Sequence, residues 1–142
     1  MIYISHRGNL DGKSKNHENS PEYVLNALKK GFDVEIDVWF KNGNFYLGHD
    51  DPKYKIEKKF LENNQFWCHA KNTEAIYEMS KINCHYFWHQ EDDYTITSRG
   101  IIWTYPGKLL LKNSICVLPE LFDKQILNCL GICSDYIQKY KK

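Results

Sequence analysis

The sequence predicts an α/β protein: a trimmed TIM-like (β/α) barrel of about seven parallel strands plus a short hairpin arm, in one domain over residues 1–142. Three observations predict it. Strand-like runs alternate with short helical or turn segments along the whole chain. The run Phe32–Phe40 has a strict period of two. Ionisable residues recur at the ends of the strand-like runs, as they do where parallel strands converge on one face. A full (β/α)8 barrel takes ~250 residues, so a chain of 142 needs fewer or shorter outer helices.

Ile2-Tyr3-Ile4 opens the chain as a strand, and a polar loop runs from Asn9 to Asn19. Ser20 suits an N-cap and Pro21 a first helical position, which predicts a helix over Pro21–Lys30 ended by Gly31. In Phe32–Phe40, Phe32, Val34, Ile36 and Val38 alternate with Asp33, Glu35, Asp37 and Trp39, so the acidic side chains share one face of a strand. Asn42-Gly43 predicts a tight hairpin turn, with Phe45–His49 returning. Loop and helix are expected to about Asn64, then a strand at Phe66–Ala70 and a helix at Thr73–Lys81. Strands are expected at His85–His89, Ile101–Tyr105, Ser114–Leu118 and Ile132–Ile137. A polar run fills Gln90–Arg99, and a helix is expected at Leu121–Leu130.

Composition narrows the function. Hydrophobic residues make up 42% and aromatics 15%, enough for a packed core. With 19 basic and 18 acidic residues the formal charge is +1, which gives no general pull toward nucleic acid or an anionic membrane. No apolar run approaches the ~20 residues of a membrane span, and Met1–Ser5 is too short for a signal segment. Five cysteines, Cys68, Cys84, Cys116, Cys129 and Cys133, form no CxxC pair. Reduced structural thiols in a cytoplasmic protein are the expectation.

The chemistry gathers at strand ends. His6 and Arg7 follow the first strand, Glu35 and Asp37 lie on the second, His49 and Asp50 end its hairpin arm, and His69 and Lys71 end the third. Carboxylates at i and i+2 of a strand point the same way and repel unless a cation lies between them, and oxygen donors suit Mg²⁺ or Ca²⁺. The same alternation also suits a solvated polar face. His6 and His49 are candidates for a general acid and base, since imidazole titrates near neutrality. Arg7 offers a planar donor fork for phosphate and Lys71 a point charge. His17 and His85 read as structural or surface residues. His89, Gln90, Trp103, Tyr105, Glu120 and Asp135 fall near strand ends as candidate substrate contacts.

These residues also carry a resemblance. His6-Arg7-Gly8, then Glu18-Asn19 before a helix, then Gly31–Val38 with Glu35 and Asp37, then Gly48-His49-Asp50, in that order, resembles the N-terminal half of the glycerophosphodiester phosphodiesterase family. The last strand with Asp135, and Trp103-Thr104, resemble later pieces more weakly. The resemblance implies a metal-dependent phosphoric diester hydrolase acting on a small glycerophosphodiester-like substrate. It implies His6 and His49 as the catalytic pair, Arg7 and Lys71 as phosphate contacts, and Glu18, Glu35 and Asp37 at or near the metal. Where the family carries Glu before its third-strand lysine, this chain has His69. A nitrogen donor there moves the preference from Ca²⁺ toward Mg²⁺, Mn²⁺ or a transition ion. Two rival readings stand beside the hydrolase: an anion-binding barrel module without turnover, and a phospholipase-type lyase on the same scaffold. A barrel lacking outer helices would expose apolar strand faces, so a homo-oligomer is a further expectation.

Overall fold

The computed structural model describes residues 1–122, 126 and 128–142. Its strands are β1 (Ile2–His6), β2 (Asp33–Lys41), β3 (Asn44–Leu47), β4 (Tyr54–Ile56), β5 (Phe66–Ala70), β6 (Tyr86–Trp88), β7 (Tyr94–Ile96), β8 (Ile102–Thr104), β9 (Ser114–Val117) and β10 (Gly131–Ser134). Two short helices accompany them, α1 (Pro21–Lys29) and α2 (Thr73–Met79).

All ten strands belong to one mixed sheet, curled into a half-barrel. Parallel pairing runs β6–β5–β2–β1–β10–β9–β8. β3 and β4 add an antiparallel arm to β2, and β7 adds another to β8. This corrects the expected trimmed TIM-like (β/α) barrel of parallel strands with outer helices. The connections are too short or too irregular to supply a helix per strand. Among the described residues only α1, between β1 and β2, and α2, between β5 and β6, are α-helical crossovers, while Lys58–Glu62 and Pro119–Leu121 are 3-10 turns. β6 and β8 do not pair; Ser98 bridges the gap, its N–H donating to Tyr86 O (2.8 Å) and its Oγ accepting from Tyr86 N (3.0 Å).

Local chemistry explains the elements that position the site. Ser20 Oγ accepts from Tyr23 N, and Pro21 occupies the first turn of α1. At the β2–β3 turn Asn42 and Gly43 have φ of 51° and 78°, the left-handed pair that a two-residue type I′ hairpin demands. β4 and β7 lie in segments expected to be loop, helix or polar run, and Ile137–Lys139, whose first residue was expected to end the last strand, forms a 3-10 turn. The expected helix Leu121–Leu130 falls largely on residues 123–125 and 127, outside the described residues.

The period-two pattern of β2 separates two packing regions. Val34, Ile36 and Val38 pack outward with Phe66, Cys68 and Ala70 beneath α1 and α2. On the concave face Ile4, Trp67, Phe87, Trp103, Ile115 and Cys133 form a second apolar cluster. Toward the C-terminal ends of the strands that face turns ionisable. His6 is level with Glu35, and Asp37 is level with His69.

Candidate functional site

Glu35 and Asp37 are 2% and 0% exposed, so the acidic face of β2 is buried rather than solvated. Ionised carboxylates at that depth need compensation. Asn19 clamps Asp37 twice, its Nδ2 donating to Oδ2 and its Oδ1 accepting from the Asp37 N–H, both at 2.9 Å. Arg7 Nε lies 3.0 Å from the same Oδ2. Asp37 Oδ1 and Glu35 Oε2 accept no hydrogen bond among the described residues. Burial alone would raise the Asp37 pKa; the facing His69, then Arg7 and Lys71, outweigh it and hold the carboxyl well below its usual range.

His69 completes this cluster. Its Nε2 is 2.7 Å from the His89 carbonyl, which can only accept, so Nε2 carries the proton. Nδ1 therefore faces Asp37 Oδ1 at 3.4 Å and Glu35 Oε1 at 3.6 Å. Burial opposes charging the ring, but the two carboxylates prevail and raise its pKa to about 9. One donor atom from each of Glu35, Asp37 and His69 lies within 4.8 Å of the others. Two buried carboxylates with orphaned oxygens around an imidazole nitrogen fit a divalent cation, which would take the place of the Nδ1 proton.

Beside the cluster, His6 Nδ1 is 2.7 Å from Asp135 Oδ1. A carboxylate accepts, so Nδ1 donates and Nε2 is left as the free position, 3.8 Å from Glu35 Oε2. Asn9 Nδ2 donates both to that Asp135 oxygen and to Glu18 Oε1, each at 2.8 Å. Burial pushes the Asp135 pKa up, but the hydrogen bond from His6 and its charge bring it below the ordinary value.

Of the residues expected at the site, the structure gathers His6, Arg7, Glu35, Asp37, His69 and Lys71, the last with Nζ 4.0 Å from Asp37 Oδ1. Glu18 lies outside the three-donor cluster, against Asn9 and 3.5 Å from Arg7 Nη1. His49 stands at the lip, its side chain 42% exposed and its Nδ1 2.8 Å from Asp50 Oδ1. It lines the same cleft as His6, Glu35 and His69. His89, Trp103 and Tyr105 line that cleft too. Glu120 instead ties Ser134 Oγ and Asp135 N to the end of β10. The residue that sequence reasoning passed over is Asn9, which it reads as loop although the side chain is buried between two acidic residues. Its one signal is position, two residues beyond Arg7. Arg7 and Asn19, at φ 57° and 65°, are left-handed non-glycine residues joined by the bond from Asn19 N to Arg7 O, strain of a kind that collects at functional sites.

No family model, no curated protein and no solved structure matches this chain. No helix among the described residues is long and apolar enough to cross a membrane.

Proposed function

We propose that the chain is a metal-dependent phosphodiesterase acting on a small glycerophosphodiester-like substrate. The observation that carries this reading is the buried Glu35–Asp37–His69 cluster, with orphaned carboxylate oxygens, set beside a histidine whose free nitrogen faces the same cleft. Glu35, Asp37 and His69 would hold the ion, Mg²⁺ or Mn²⁺ suiting the nitrogen donor better than Ca²⁺. Bound there, it supplies positive charge against the phosphoryl oxygens as their negative charge grows. The other roles belong to the chain's own groups. Arg7, held in place by Asp37 and Glu18, and Lys71 bind the remaining phosphate oxygens. His6 takes the proton of the attacking water or substrate hydroxyl at Nε2, because Asp135 keeps its proton on Nδ1. As the new P–O bond forms, the bond to the leaving alcohol breaks, and His49 at the lip gives that oxygen a proton.

The test is hydrolysis of glycerophosphocholine and of bis(p-nitrophenyl) phosphate with Mg²⁺, Mn²⁺, Ca²⁺ or EDTA. We expect metal-dependent turnover that falls by roughly 10²–10⁴ in His6→Ala. A folded protein that binds Mn²⁺ yet turns over neither diester with any ion would sink the reading. The exposure of His49, whose partner Asp50 is itself exposed, favours the anion-binding module as the second reading, and phosphate binding without turnover is what it predicts. A lyase would release a cyclic phosphate, visible by ³¹P NMR. Five cysteines with no CxxC pair among them support a cytoplasmic setting. Exposed Ile96, Leu109 and Leu111 support self-association, which gel filtration across a concentration series would reveal.

A further inference from the structure

Two clefts of about 380 Å³ each meet at Arg7 and His49. Beyond those two residues they differ in kind. One is walled by charged groups of both signs, among them Lys13, Lys15, Asp50, Asp51 and Lys53. The other leaves the His6–Glu35–His69 cluster along Trp103, Tyr105, Leu118 and Leu121 to Phe122. This apolar wall is built in. Trp103 is buried and packs at a tilt against Phe87, 4.6 Å between centroids, and against Trp67, at 5.8 Å. Leu118 holds a left-handed backbone (φ 47°), fixed by its N–H on Cys133 O at 2.8 Å. At the rim Leu121 and Phe122 remain 55% and 50% exposed. Beyond the ionisable cluster, Arg7 and His49, the polar side-chain groups on this wall are the Trp103 indole N–H, Tyr105 Oη and the His89 ring, set among Pro106, Val117, Leu118, Leu121 and Phe122, so a polar group lying along those apolar residues would lose more water contacts than it regained.

We propose that this cleft takes an alkyl or acyl chain, so that the substrate is an amphiphilic phosphodiester. Its phosphate lies at Arg7 and His6, its chain lies over Trp103, Tyr105 and Phe122, and its polar substituent enters the charged cleft. This rests on the phosphodiesterase reading and narrows its substrate class. A diester with two polar arms fills only one of the clefts. An amphiphile matches both, because the charged wall and the apolar wall meet at Arg7 and His49.

The probe is a series of n-alkylphosphocholines (methyl, butyl, hexyl, octyl), each below its aggregation concentration, titrated into the full chain with and without Mn²⁺. Each methylene that enters an apolar site is worth about fourfold in affinity. We expect Kd to fall at least twentyfold from butyl to octyl, and Phe122→Ala to flatten that slope. A Kd independent of chain length overturns the proposal. So does a gain that begins only above the aggregation concentration, since that reports attachment to an assembled surface. An unchanged slope in Phe122→Ala overturns the placement of the chain. If no member is hydrolysed but the slope persists, the phosphodiesterase reading fails and the amphiphile site stands. If short and long members are hydrolysed with equal kcat/KM, the reverse holds.

Discussion

His6 and His69 lie on the same concave face, yet their hydrogen bonds give them opposite chemistry. Asp135 holds the proton of His6 on Nδ1 and leaves Nε2 free for the cleft. The His89 carbonyl holds the proton of His69 on Nε2 and turns Nδ1 to the carboxylates. Under the proposed function, one ring would serve as a base and the other as a ligand. Asp135→Asn tests the first assignment, because an amide can donate to Nδ1 and drive the proton to Nε2. We expect kcat to fall by about a hundredfold or more with little change in melting temperature; a fall in KM alone, or equal activity, would refute the role. Asn19 tests the second. One of its two bonds to Asp37 donates to a charged, fully buried carboxylate, and the other accepts the Asp37 N–H. Asn19→Ala should cost about 2–3 kcal/mol and lower Mn²⁺ affinity together, read by thermal denaturation and Mn²⁺ titration.

At the scale of elements, β2 is the piece most fully written in the sequence. Its alternation divides Val34, Ile36 and Val38 from Glu35 and Asp37, and both faces prove buried. The start of α1 is legible for the same local reason: a cap at Ser20 and proline at the first turn. Ser20→Ala should therefore cost about 1 kcal/mol, a melting shift of roughly 3 °C for a chain this size. The β3–β4 arm carries His49 on a turn whose geometry depends on Gly48. A Cβ at Gly48 would lie 2.0 Å from Asp51 O, a backbone atom that cannot step aside alone. Gly48→Ala should move His49 and lower kcat at least tenfold while the core clusters persist, with a crystal structure or amide exchange of residues 47–53 as the check. β4 and β7 were not legible. Each is three residues long and is defined by the antiparallel partner it meets rather than by its own pattern. The Asp135 partner of His6 is 129 residues away, a pairing that periodicity alone does not specify.

The whole molecule is a curled sheet with few covering helices, and that sets what its histidines contribute to stability. The rhythm of strands along the chain is compatible with a parallel barrel. Antiparallel arms and 3-10 turns in place of helices make it a mixed, open sheet instead. Side chains therefore help the Ser98 bridge to close the β6 side, and His85 is one of them. It is 2% exposed, its ring lies 4.3 Å from that of Trp67, and its Nε2 is 2.7 Å from Thr97 Oγ1. Burial, reinforced by the positive charge of Arg99, lowers its pKa from 6.5 to about 4. Above pH 6.5 the ring is neutral both folded and unfolded, and it adds no pH dependence. As pH falls below 6.5 the unfolded chain binds a proton that the folded chain refuses, so stability drops until about pH 4. The full shift amounts to at most about 3 kcal/mol, or roughly 10 °C in melting temperature. Acidic groups titrate near the lower end of the same window, so the measurement is a difference. The melting temperature of wild type minus that of His85→Gln should fall by that amount between pH 7 and pH 4. A difference that stays constant across the range would mean that His85 is free to charge in the folded state, and that a neutral buried imidazole has no part in closing the β6 edge.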